Sequence, residues 1–175
     1  RLFGIQAWVA LPGSQEEAAP AFSHHAADDL PLVQEDGVQL RLIMGQLFGA
    51  RSPVPTTTET LYADIALQPG ARLPVDPVVE ERALYLVEGE VAIGGVPHAP
   101  GRLLILRPHD ALTIEARTAA RLMLIGGEPM DGPRHIWWNF VSSRRERIEA
   151  AKADWQAGRF AMVPGDAEYI PLPEH

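Results

Sequence analysis

The chain has 175 residues, 46% hydrophobic and 22% charged, which is enough apolar material for a packed core and excludes a disordered chain. Lys and Arg number 15 against 23 Asp and Glu, a formal charge of -8, so the balance argues against a broad footprint on nucleic-acid phosphates. There is no cysteine, which excludes disulfides, thiolate metal ligands and a sulfur nucleophile, and no apolar run approaches the roughly 20 residues of a membrane span.

The stretch RLFGIQAWVALP has no small-residue cleavage site after an apolar run, so it does not read as a secretory signal, and a cytoplasmic protein is expected. A chain that opens on Arg1 inside strand-like sequence implies something upstream. Residues 5–11 predict a strand within segment 1–12, closed by the Pro12-Gly13 turn signal. Segment 13–37 has little periodicity and reads as a surface connection. Val38 to Phe48 reads as β-like, alternating in places at Val38, Leu40, Leu42 and Met44, with Gly45 and Gly49 as bend or bulge positions. After a proline-rich loop, Leu61, Ala63, Ile65 and Leu67 share one face, while Tyr62, Asp64, Ala66 and Gln68 share the other.

Further short strands are predicted over 82–87, 90–93, 103–106, 112–115 and 120–125. Strands this short and this regularly broken by Gly and Pro predict an all-β sandwich or barrel over 38–127. Segment 128–175 differs. Ser143 and Glu146 have capping-box spacing, Ile148, Ala151 and Trp155 form a helical stripe, and Gly158 is a stop. A helix over 144–157 is expected, docked on the β body, with an extended tail lying back along it.

Six histidines are candidate metal ligands: His24, His25, His98, His109, His135 and His175. A non-haem metal site needs several imidazoles and a carboxylate on one wall. Adjacent His24 and His25 point to opposite faces if extended, His98 and His109 neighbour prolines, and no H-x-H pair exists, so no metal site is expected in this chain. Glu80, Glu88 and Glu90 read as solvated rim residues, since adjacency alone does not split carboxylate pKa values, and Glu81 is kept as the one exception. The stretch PRHIWWNF reads as buried aromatics more readily than as a ligand wall. Its Arg134 and His135 would contact an anion only if they converge on a pocket, and Asn139 suits a turn. The cluster Arg144, Arg145, Arg147 is too small to make a nucleic-acid patch. Gln6 beside Trp8 reads as a hydrogen-bonding support. Gly94-Gly95 and Gly126-Gly127 lack the context of a phosphate loop, and no G-x-S-x-G elbow exists. No catalytic or cofactor-binding residue is therefore assigned.

Taken together, GIQAWVALP, the SPV at Ser52, ERALYLVEGEVAIGG, GGEP, PRHIWWNFVSS and the VPGD at Val163 resemble the later part of a bacterial pirin-like protein. Pirins belong to the cupin superfamily. The resemblance implies a cupin jelly-roll barrel, a double-stranded β-helix, with a C-terminal helix and tail. It implies a bicupin whose amino-terminal barrel, upstream of this sequence, holds iron or another divalent metal on three histidines and a glutamate. It further implies quercetin 2,3-dioxygenase-type cleavage of a flavonol-like molecule in some members and a regulatory protein partner in others, so whether the parent is an enzyme stays open. A cupin sugar isomerase or epimerase fits less well. Aligned on Gly89, the metal motif would place Val75 and Pro77 at histidine positions and Glu81 near the carboxylate. The second motif matches Gly101, Pro108 and Asp110, then has Thr113 in place of histidine. On that alignment this barrel is the metal-free partner of the upstream one.

Overall fold

The computed structural model describes residues 4–162, 164–165 and 168–173. Arg1, His175, and Val163 and Asp166 of the VPGD stretch lie outside these residues. The chain forms two compact units, one over 20–129 and one combining 1–19 with 130–175.

The unit 20–129 begins with a hairpin, β1 (Leu32–Glu35) and β2 (Val38–Met44), followed by the short pair β3 (Gln46–Leu47) and β4 (Ala50–Arg51). Then come β5 (Thr60–Leu67), β6 (Arg72–Val75), β7 (Glu81–Glu88), β8 (Val91–Ile93), β9 (Val96–His98), β10 (Arg102–Leu106), β11 (Leu112–Ala116) and β12 (Ala120–Gly127). Ten of these strands make two antiparallel sheets, ordered β1-β2-β5-β12-β7-β10 and β6-β11-β8-β9. The alternation read in β5 holds: Leu61, Ala63, Ile65 and Leu67 are buried. They share one core with Leu40, Leu42, Leu84, Leu86, Leu122 and Leu124 of the same sheet and with Leu73, Val75, Val91, Ile114 and Ala116 of the other. Each fully buried Leu or Ile contributes roughly 1.5–3 kcal/mol, so this shared stripe is what holds the sheets together.

The strands that the sequence did not predict include β1, β6 and β9. β1 lies inside the expected connection 13–37, because a hairpin around Asp36-Gly37, both at positive φ, pairs it with β2. β6 and β9 carry Pro74 and Pro97, which usually speak against a strand. Both are the edge strands of their sheet, where proline's lost N–H faces no partner. Conversely, residues 5–11, expected as a strand, enter no ladder among the described residues, since a strand forms only where a second edge runs beside it. The run from Val38 also ends earlier than the alternation indicates, at Met44, with a register shift between Leu42 and Met44.

In the other unit, β13 (His135–Trp137) and β14 (Phe140–Ser142) form a hairpin whose two-residue turn is Trp138-Asn139, and α1 (Arg145–Gln156) follows. Trp138 sits at φ +49, which a bulky residue rarely adopts. Its ring packs edge-on against Trp155 at 5.2 Å and Phe140 at 5.7 Å. Those contacts offset the local strain. The helical stripe holds, with Ile148 and Ala151 buried, and within its own unit the helix packs on the β13–β14 hairpin. The capping box does not form: Arg144 is the N-cap residue, without a side-chain bond. Ser143 stands one residue outside the N-cap, and its hydroxyl donates to Glu16 Oε2 at 2.8 Å.

Candidate functional site

The cupin motif positions can now be placed. Val75 faces the core and is 1% exposed. Pro77 is exposed beyond the end of β6. Glu81 is exposed, on the face of β7 opposite to Leu84 and Leu86. Thr113 lies between the core residues Leu112 and Ile114 and therefore points outward, beside Glu115 in a shallow cleft. Of the four positions only Val75 looks inward, and it carries no lone pair. These residues do not fit a metal ion.

The residue that does look inward at this end is Arg82, which the sequence reading passed over. It shares the core face of β7 with Leu84 and Leu86 and is 3% exposed. Its Nη1 donates to Asp76 O at 3.1 Å, with Val75 O at 3.5 Å, and its Nη2 donates to Asp110 O at 2.7 Å and Arg107 O at 3.2 Å. The signal was present in the period of two: Arg82, Leu84 and Leu86 alternate with Glu81, Ala83 and Tyr85. Gly126 is its cross-strand partner, and a methyl group there would meet Glu81 O at 2.3 Å and Arg82 Cγ at 3.2 Å. Gly126 thus lets the Glu81 carbonyl approach closely, with Val79 and the arginine stem packed beside it.

The histidines stay apart. His24 and His109 are exposed, and His25, His98 and His135 are half-buried. Among the described residues no three His, Asp or Glu side chains gather in a way that could hold a metal. His25 Nε2 and His98 Nδ1 are buried without a hydrogen-bond partner among the described residues. Glu80, Glu88 and Glu90 are exposed rim residues.

In the second unit, Arg134 and Glu16 converge on a cleft with Asn139 and Val141. Arg134 is fully engaged there: Nη2 donates to Leu11 O at 2.8 Å and Asp131 Oδ1 at 2.5 Å, and Nε lies 2.6 Å from Glu16 Oε1. That last contact is off line for a hydrogen bond, so it counts as an ion pair. Burial alone would raise the Glu16 pKa, but the Ser143 hydroxyl and amide, the Arg134 charge and the Ser142 hydroxyl outweigh it and hold the carboxylate below its ordinary value. Arg144 and Arg147 share the single carboxylate of Glu17, which offsets part of the charge of this basic cluster. His135 opens β13 and does not join Arg134 in the cleft. Trp137 and Trp138 belong to an aromatic cluster with Phe140 and Trp155, as a packing role requires. Trp8 is 53% exposed.

The family model of the pirin C-terminal cupin domain matches residues 62–161. A pirin-like protein of Caulobacter vibrioides is 43% identical over 99% of this chain and 61% of its own length. A pirin-like protein of Solanum lycopersicum is 31% identical over 89% of this chain and 56% of its own. A crystal structure of a quercetin 2,3-dioxygenase from Acinetobacter baumannii superposes with a TM-score of 0.84 at 26% identity, over 96% of this chain and 57% of that one. The chain thus spans little more than half the length of these relatives. With its two sheets, its C-terminal helix and the matched domain over 62–161, the chain belongs to the pirin family and carries that family's C-terminal cupin domain.

Proposed function

We propose that this chain is the metal-free half of a bicupin, and that iron or another divalent metal is held by an amino-terminal cupin domain upstream of it. The two sheets are the walls of a jelly-roll barrel whose interior is filled by Leu, Ile and Val, so the work of this half is to complete and position its neighbour. The observation that carries this reading is the inner wall at the motif positions, where Val75 is apolar and Glu81 and Thr113 face away. Flavonol cleavage of the quercetin 2,3-dioxygenase type is the reaction proposed for the parent, from its likeness to the Acinetobacter enzyme.

The full-length protein tests it. Iron-loaded and aerobic, it is expected to bind metal through upstream histidines and to consume O2 with quercetin. Stoichiometric metal that is lost on Glu81→Gln would refute the metal-free assignment. Bound metal without flavonol turnover would favour the second reading, a regulatory cupin that binds a protein or small molecule without catalysis. That reading draws on the net charge of -8, which suits a protein partner better than direct contact with DNA.

A further inference from the structure

We infer that the guanidinium of Arg82 is the resident cation of this cupin domain, standing among backbone carbonyls at the end where a metal-bearing cupin gathers its ligands. This deepens the metal-free reading above and rests on it.

The four carbonyl groups facing Arg82 come from two separate segments. Val75 and Asp76 follow β6, and Arg107 and Asp110 lie in the turn between β10 and β11. On the cupin alignment these segments carry the first and second ligand motifs. Both halves of the expected donor set therefore still converge, but they offer main-chain oxygens, and what they converge on is a side chain of the same barrel. Among the described residues no carboxylate pairs with Arg82. Carbonyl dipoles aimed at a cation replace its hydration shell, as they do around an ion in a selectivity filter. They stabilise the charge without cancelling it.

Two consequences follow. A full positive charge stays fixed at this end of the core, so a divalent ion approaching the same oxygens meets repulsion in a medium of low dielectric. The planar fork of arginine also reaches both segments at once, which a lysine ammonium on its single stem does less well. The two Nη groups make every bond that ties the segments together, and Nε is buried without a hydrogen-bond partner among the described residues. The stem packs beside Gly126.

The test uses the full chain carrying Arg82→Ala. Millimolar methylguanidinium is expected to bind in the space left and to raise the thermal midpoint of this variant by about 2–4 °C while leaving wild type unmoved. Methylurea, uncharged and of the same shape, is expected to do nothing. Equal recovery by methylurea, or an Arg82→Met chain with the wild-type midpoint, would overturn the assignment. Should Arg82→Ala not fold, Arg82→Lys and Arg82→Met decide: the lysine variant is expected to melt above the methionine one, and the reverse order sinks the proposal. Manganese titrated into wild type is expected to leave the amide resonances of Val75, Asp76, Arg107, His109 and Asp110 unbroadened. Broadening centred there would remove this proposal and the metal-free reading together, whereas failure of the methylguanidinium arm without it removes the role of Arg82 alone.

Discussion

Glu16 and Arg134 meet at 2.6 Å with side chains 9% and 7% exposed, joining the start of the second unit to its hairpin. Glu16 also accepts from the Ser143 amide at 2.9 Å and the Ser143 hydroxyl at 2.8 Å. One carboxylate thus holds an arginine, a serine and the start of a helix. Glu16→Gln keeps the shape and loses the charge, and is expected to cost about 1–3 kcal/mol in urea unfolding.

The same group sets an acid limit. Its folded pKa lies below the ordinary 4.5, so its stabilising contribution is complete above that value and is lost as pH falls through the folded one. Asp131, held down by the Gly13 amide and then by Arg134, acts in the same direction from an exposed position. Unfolding of the wild-type chain is expected to steepen below about pH 4.5, and Glu16→Gln is expected to flatten that limb. An unchanged acid profile in the variant would contradict the assignment.

Gly89 turns the chain between β7 and β8 at φ +80, and an added methyl would sit 2.1 Å from Ala119 O. Backbone cannot yield as a flexible side chain can. Gly89→Ala is expected to destabilise by more than about 1 kcal/mol, with a lowered denaturation midpoint as the readout.

Trp155 contacts Trp138, Phe140, Phe160 and Tyr169, and its indole N–H donates to Ile170 O at 2.8 Å. Trp155→Ala is expected to cost about 3 kcal/mol and to expose the tail to limited proteolysis. Trp155→Phe keeps a ring and loses one hydrogen bond, for about 1 kcal/mol. Equal loss in both variants would show that the bond to Ile170, and not the ring packing, governs this cluster.

Tyr62 lies beside Asp64, which Arg121 grips at 2.9 and 2.6 Å. Burial first, and the Asp64 charge second, raise the phenol above its ordinary 10.0. A raised acid of this kind favours the folded state below the unfolded value and loses that contribution as pH climbs past the folded one. Ultraviolet titration is expected to show a phenol ionising above 10.0 that Tyr62→Phe removes. Asp64→Asn should bring it only part of the way back, because burial is the larger cause.

Much of the β unit was legible because side-chain alternation is local. Leu61 through Leu67 declare their buried face without reference to any other strand, and β7 and β12 do the same. Pro74 and Pro97 hid β6 and β9, since whether a proline is tolerated depends on whether its strand lies at an edge, and neighbours two residues away do not encode that. Ser143 and Glu146 had the spacing of a capping box, yet the helix starts one residue later, with Arg144 as its N-cap, and the Ser143 hydroxyl donates to Glu16, far away in sequence. The motif alignment singled out Glu81, and the pleat turned it to solvent and its neighbour Arg82 inward.

The sequence by itself determined the family, the β character and the helix near the end, because each of these is a matter of residue type and short-range spacing. The tertiary structure alone decided which groups meet: Arg82 with the carbonyls of two distant segments, and Glu16 with Arg134 and Ser143. The physical reason is that a charge or a hydroxyl takes the strongest partner the fold brings within reach, and reach is set by the packing of whole sheets and helices.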